Sequence, residues 1–235
     1  MNERADAGFS PAWREWRAGV DLDEYETRWD RLAAGGQHVH GEAEFIAALA
    51  PSSVLDAGCG MGRVGIELAR RSIDVAGVDL DADLLERARR RAPCLEWIEC
   101  DLADVAISRV FDVVALAGNV LPFVAVDRRA AVVANCARHL APGGRLVMGA
   151  GLRPGWPTVA ELDDWCGGAG LRLVERYAGW LREPWSDTGR ANYAVSVHAR
   201  RPPVVGETRL RPLRLAAGTT RVLRLGDEEL LKQAE

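Results

Sequence analysis

The 235-residue chain is long enough for one substantial core, and its 48% hydrophobic content supplies the apolar surface to build it, which excludes disorder of the whole chain. With 30 Lys and Arg against 34 Asp and Glu the net charge is -4, so no general attraction to phosphate backbones or anionic lipid is built in, and neither a nucleic-acid nor a membrane partner is expected. The five cysteines, Cys59, Cys94, Cys100, Cys136 and Cys166, form no CxxC pair, which argues against a zinc module or a secreted disulfide framework and for reduced thiols.

The charged start MNERADAGFS lacks the apolar segment of a secretory signal, and no stretch reaches about 18 apolar residues, so a soluble cytoplasmic protein is expected. Residues 11–34 carry aromatics among charges and read as one or two helices, whose Trp13, Trp16, Tyr25 and Trp29 can pack over a domain or over a ligand. With the following residues they make an N-terminal helical lid over 1–50. HVHGEAEF, residues 38–45, leads into a helix over 41–50 with Phe45, Ile46 and Leu49 as its apolar stripe, and Glu42 and Glu44 suit its N-terminus while facing water.

A strand and helix alternation then begins. SVLDAG, DVAGVDL, LEWIECD, FDVVALAG and RLVMGA read as strands; GRVGIELARRS, ADLLERARRRA and RRAAVVANCARHLA read as the helices between them, the last ended by Pro142-Gly143-Gly144. This series predicts an α/β fold with a mostly parallel sheet covered by helices on both faces. LRLVERYAGWL and ANYAVSVHAR suit an antiparallel pair closing one edge, which completes a seven-stranded, Rossmann-like sheet over 51–200. In the extension 201–235, TRLRPLRL and TRVLRL suit a small hairpin, whose arginines fit a solvated strand face better than an RNA site.

The most informative stretch is VLDAGCGMGRVG, residues 54–65, in which glycines follow a predicted strand and open a predicted helix, so backbone can approach a cofactor closely. Gly60 to Gly65 also matches GxGxxG, so the glycines alone leave NAD open. Asp79 closes the second strand, where its carboxylate can accept from ribose hydroxyls. Asp101 closes the third, where it can accept from an adenine amino group while Leu80 or Leu102 packs on the ring.

Over about residues 29–200 this ordered set resembles the class I S-adenosylmethionine-dependent methyltransferases: LDAGCGMG is similar to their glycine-rich first motif, Asp79 and Asp101 to their two strand-end acids, and RHLAPGGRLVMG to the segment entering strand five. The resemblance implies S-adenosylmethionine as cofactor and methyl transfer by direct nucleophilic displacement to a small acceptor. It implies cofactor contacts at Trp29, Gly58, Cys59, Gly60, Asp79, Leu80, Asp101, Leu102, Ala117, Gly118 and Asn119. Asp56 then organises the glycine loop, while Asp81 and Asp83 read as helix-start residues. Tyr25, Phe123, Arg153 and Trp156 are the candidate acceptor contacts; Arg153 either binds a substrate carboxylate bidentately or faces solvent.

GNVLPF departs from the Asn-Pro-Pro-aromatic signature of amino-directed methyltransferases, and the acceptor stays unidentified. A cofactor-binding regulatory or scaffold protein without turnover is the alternative of another class, and an NAD-dependent dehydrogenase a minor one. No metal is expected, since His38 and His40 lack further ligands at defined positions. His40 is the candidate general base, because a neutral imidazole can take a proton from a hydroxyl or amine. The quaternary expectation is a monomer or homodimer.

Overall fold

A computed structural model describes residues 9–186 and 191–200, together with the strand residues 213–214 and 220–221. Five strands in the first 151 residues run parallel: β1 (Ser53–Ala57), β2 (Asp74–Asp79), β3 (Glu96–Glu99), β4 (Phe111–Leu116) and β5 (Leu140–Gly151). With β6 (Leu171–Tyr177) and β7 (Tyr193–Arg200) they form a sheet of order β3-β2-β1-β4-β5-β7-β6. Strand β7 lies between β5 and β6 and is antiparallel to both. The expected antiparallel pair of β6 and β7 does close this edge; β7 is its inner member, so β6 points the same way as β1 to β5.

Apolar alternation along the strands feeds two faces. Val54, Val75, Val113 and Val147 meet Phe45 and Ile46 of α3 (Gly41–Ala47) and Val64 and Leu68 of α4 (Arg63–Arg70). Leu55, Ala76, Val114 and Leu146 point the other way, onto Val132, Val133 and Cys136 of α7 (Arg129–Arg138) and Leu162 and Cys166 of α8 (Val159–Gly168). Helix α5 (Ala82–Arg91) joins the α4 side through Leu85 and Ala88, which cluster with Ile66 and Trp97. Helix α6 (Val120–Phe123) is a single turn after β4.

Helix α7 stops at Arg138, short of the predicted Ala141, and β5 starts at Leu140, before Pro142-Gly143-Gly144. The Phe111 N–H already donates to the His139 carbonyl at 2.8 Å, so the ladder begins ahead of the turn. The register then shifts, Leu140 lying opposite Phe111 and Arg145 opposite Val113, which leaves the Pro-Gly-Gly segment as a bulge. From α7 the buried Asn135 donates through Nδ2 to the carbonyls of Leu102 (2.7 Å) and Val105 (2.8 Å), pinning the segment after β3. Asn135→Leu should lower stability by about 2–4 kcal/mol, since both buried carbonyls lose their donor, and the urea midpoint should fall with an unchanged slope.

Two helices precede the sheet, α1 (Pro11–Gly19) and α2 (Leu22–Ala34), capped by Ser10 and Asp21. The chain divides into two compact units, Met1–Arg200 and Arg201–Glu235. In the second, β8 (Leu213–Arg214) pairs antiparallel with β9 (Thr220–Arg221); the rest of the expected hairpin and its arginines lies outside the described residues. Among the described residues no helix is long and apolar enough to cross a membrane.

Candidate active site

The C-terminal ends of β1 to β5 open into a cavity of about 860 Å³ roofed by α1 and α2. The glycine loop after β1 forms its floor. The N–H groups of Gly58 and Cys59 donate to the Val78 carbonyl at 2.8 and 3.0 Å, which ties the loop to β2. Asp56, 2% exposed, accepts from the Gly65 N–H at 2.9 Å and so fixes the start of α4. Burial pushes its carboxyl up to about 7, against the pull of that N–H and of Arg63.

Asp79 bridges the loop and the end of β2: Oδ2 accepts from the Gly60 N–H at 2.7 Å and Oδ1 from the Asp81 N–H at 2.9 Å. Burial pushes this carboxyl up to about 6, opposed by the N–H groups of Asp81 and Gly60. Asp81 itself caps α5, accepting from the N–H groups of Asp83 (3.0 Å) and Leu84 (3.1 Å). At the end of β3, Asp101 accepts from the Ala103 N–H at 2.8 Å and its other oxygen lies 3.0 Å from Arg128 Nε. Asn119, in the left-handed region at φ 67°, accepts through Oδ1 from the Gly151 N–H at 2.6 Å, so the turn after β4 is locked to the end of β5.

The roof is held at both ends. On one side Phe9 bridges Val124, the Ser10 N–H donates to the Phe123 carbonyl (2.9 Å) and Ser10 Oγ to the Pro122 carbonyl (3.0 Å). On the other Arg17 meets Asp81 (3.2 Å) and Asp83 (2.5 Å), and Arg87 meets Asp23 and Glu26, both at 2.7 Å. Aromatic rings fill the interval. Trp13 and Trp16 lie 5.5 and 6.0 Å from Phe123, Trp16 lies 5.4 Å from Tyr25, and Phe123 lies 6.0 Å from Trp156.

The cavity brings together all of the predicted cofactor contacts, Trp29, Gly58, Cys59, Gly60, Asp79, Leu80, Asp101, Leu102, Ala117, Gly118 and Asn119, and the predicted acceptor contacts Tyr25, Phe123, Arg153 and Trp156. His40 does not line it. Its Nδ1 faces Glu67 of α4 at 3.9 Å, one turn along that helix from the cavity residue Arg63. His40→Ala should therefore leave cofactor affinity and any transfer rate within about twofold of wild type, as for a side chain that does not line the cavity.

Glu42 also departs from expectation. Its side chain is 16% exposed and pairs with Arg63, which donates to the Val39 carbonyl at 2.7 Å and lies 4.2 Å from the Trp29 ring. Arg63 is thus a cavity residue that the motifs did not single out, and Trp13 and Trp16, named as a covering layer, line the cavity as well. Glu44 stays half-exposed beside His38, at 2.8 Å. Among the described residues no group of three or more His, Cys, Asp or Glu could hold a metal ion.

A family model described as "Methyltransferase domain" matches residues 54–144. A TehB-like SAM-dependent methyltransferase from Corynebacterium glutamicum is 35% identical and superposes with a TM-score of 0.70, covering 76% of this chain and 97% of that one. A ubiquinone biosynthesis O-methyltransferase from Xylella fastidiosa is 32% identical over 192 residues, 64% of this chain and 73% of that protein. The chain belongs to the class I S-adenosylmethionine-dependent methyltransferases. A dTDP-3-amino-3,4,6-trideoxy-alpha-D-glucopyranose N,N-dimethyltransferase from Streptomyces venezuelae is 33% identical over 115 residues, 48% of this chain and 47% of that one. The methyltransferase chain spans about half the length of the first curated relatives it matches, between 44% and 58%.

The residues of this methyltransferase fit the family's cofactor, S-adenosylmethionine. Gly118 has no atom within 4 Å of where a Cβ would stand and Gly60 only Leu84, at 3.9 Å, so both backbones leave open space for a ligand between acids suited to a ribose and an adenine. The sheet separates it from the dinucleotide fold as well, whose sixth strand continues the parallel series where β7 here runs antiparallel.

Proposed function

We propose that this chain transfers a methyl group from S-adenosylmethionine to a small, partly apolar acceptor. The observation that carries the reading is the continuity of one cavity, in which Asp79 and Asp101 share walls with Tyr25, Phe123 and Trp156. Asp79 accepts from the ribose hydroxyls, and Asp101 from the adenine amino group between Leu80 and Leu102. The N–H groups around Gly58, Cys59 and Gly60 position the amino-acid end, under Trp29. Ala117, Gly118 and Asn119 line the edge where donor and acceptor meet. When bound, the cofactor supplies an electron-poor methyl carbon. The chain's own part is alignment of the two reactants and exclusion of water by the aromatic roof.

Relatives named for aminodeoxysugars and for ubiquinone biosynthesis support a small-molecule acceptor. The free state of all five cysteines suits a reducing, cytoplasmic setting. Calorimetry with S-adenosylmethionine, S-adenosylhomocysteine and NAD tests the cofactor: the first two should bind, and selective binding of NAD would overturn the reading. Methyl-labelled donor in metabolite extracts then tests turnover, with transfer expected to a low-molecular-weight product.

A further inference from the structure

The acceptor half of the cavity has an unusual balance of charge and proton-accepting groups. Arg153 stands on the chain leaving β5, exposed, with its guanidinium 4.4 Å from the Trp156 ring. Among the described residues no carboxylate lies within ion-pair distance of it, whereas Arg63 is held by Glu42; Arg28 and Arg91, the other lining cations without an ion pair, stand on α2 and at the end of α5, which leaves Arg153 as the unpaired cation beside the end of β5. With its carbon over the indole the guanidinium keeps N–H donors for a ligand, and such a planar fork can read a carboxylate with two parallel hydrogen bonds. Beside it Trp156, Phe123, Trp16 and Tyr25 form a chain of tilted and edge-on ring contacts, which offers ring faces and edges for a conjugated acceptor to pack on.

The second observation concerns protons. No histidine lines the cavity, and Asp56, Asp79 and Asp101 all lie in the cofactor half. Glu26 is occupied by Arg87, which leaves Glu15, exposed on α1, and the Tyr25 hydroxyl as the remaining proton-accepting side chains among the lining residues. The ends of β4 and β5 contribute Asn119, whose carbonyl oxygen is taken by the Gly151 N–H, and Arg153, which carries no acceptor. A phenol or an ammonium would need a base where those strand ends supply none. An acceptor that arrives already ionised needs none.

We propose that the acceptor is a flat, conjugated carboxylate whose anion is recognised by Arg153 over the Trp156 ring; this rests on the methyltransferase reading above. A carboxylate oxygen forms the new bond to the methyl carbon while the carbon–sulfur bond breaks and its electron pair stays on sulfur. The sulfonium and carboxylate charges cancel to a neutral thioether and a neutral methyl ester, and no proton is released. Arg153 is the specificity-determining residue of this step, holding one end of the anion while the aromatic surface orients its plane.

The test is a binding titration on the full chain saturated with S-adenosylhomocysteine, using 2-naphthoate, its neutral counterpart 2-naphthamide and the cation 2-naphthylmethylammonium, followed through tryptophan fluorescence. Naphthoate should bind at least about tenfold more tightly than naphthamide, and Arg153→Gln should reduce that preference to about twofold or less, as expected when a charge-assisted pair is removed. A wild-type preference for the amide or the cation, or a naphthoate preference that survives Arg153→Gln, overturns the proposal. S-adenosylhomocysteine affinity is measured in the same samples. If wild type fails to bind it, the methyltransferase reading falls as well; if it binds and naphthoate is not preferred, the carboxylate assignment alone falls.

Discussion

Replacing Asp79 with asparagine should weaken binding of S-adenosylmethionine and S-adenosylhomocysteine by about 10–100-fold, the loss expected when a charged acceptor is removed from hydrogen-bonded hydroxyls. The carboxylate already serves two backbone donors, Gly60 at 2.7 Å and Asp81 at 2.9 Å. An asparagine has one acceptor oxygen and must turn its amide nitrogen toward one of those N–H groups, so the glycine loop is disturbed along with the ribose contact.

The wild-type carboxylate carries a pH signature that this variant removes. Burial raises the Asp79 carboxyl to about 6, and ribose hydroxyls are donors that favour its ionised form. Cofactor binding should therefore strengthen as pH rises through about 6 and level off above it, and weaken by up to about tenfold per unit below. Burial also pushes the nearby Asp56 carboxyl up, to about 7, so the Asp79→Asn variant should lose the limb near 6 and keep whatever Asp56 contributes. Calorimetry from about pH 5 to about pH 8 reads both limbs, and a wild-type affinity independent of pH would reject the role given to Asp79.

Gly58→Ala should damage both the loop and the wall beside it. Gly58 has φ +80°, and a Cβ there would stand 2.6 Å from both methyl groups of Val120. The left-handed backbone costs about 1–2 kcal/mol for a residue with a side chain, and the collision brings the expected loss of stability to about 2–4 kcal/mol. Val120 follows Asn119, so relieving the collision also shifts the bond from Asn119 to Gly151 and the wall it supports.

Gly60→Ala is the control, because φ is +54° and the nearest atom, Leu84 Cδ1, is 3.9 Å away. Its stability should fall by only about 1 kcal/mol, while the added methyl group enters the cavity and weakens cofactor binding. Urea unfolding beside calorimetry separates the two effects. Equal losses of stability in the two variants would show that the Val120 contact is not what distinguishes them.

The parts of this architecture that the sequence makes legible are those written in local periodicity. Short apolar runs alternating with helical patterns place β1 to β5, and a glycine loop followed by acids at two strand ends locates the cofactor half without any knowledge of contacts. What stays hidden depends on partners far apart in the chain. Nothing local in YAVSVHAR says that it inserts between β5 and β6 rather than pairing beside β6 alone. Glu42 carries an ordinary helix-start pattern, and only the fold brings Arg63 to it.

His40 fails as a cavity residue for a similar reason. Its neighbourhood in sequence promised chemistry, but a helix entrance can face either way, and this one faces Glu67. The aromatic residues of 11–34 were legible as a covering layer. That Trp13 and Trp16 pack on Phe123, a residue about 100 positions away, while also lining the cavity is not written in the local pattern.

The two fastenings of the roof are chemically unlike. The side at Phe9 and Ser10 is held by buried hydrogen bonds and stacked rings, which salt leaves untouched. The side at Arg17 and Arg87 is held by ion pairs whose acids include the exposed Asp23 and Asp83, and these loosen as ionic strength rises. The covering helices are therefore fastened by salt-insensitive contacts beside Phe123 and by salt-sensitive pairs beside α5, so added salt acts on one edge of the roof and not on the other.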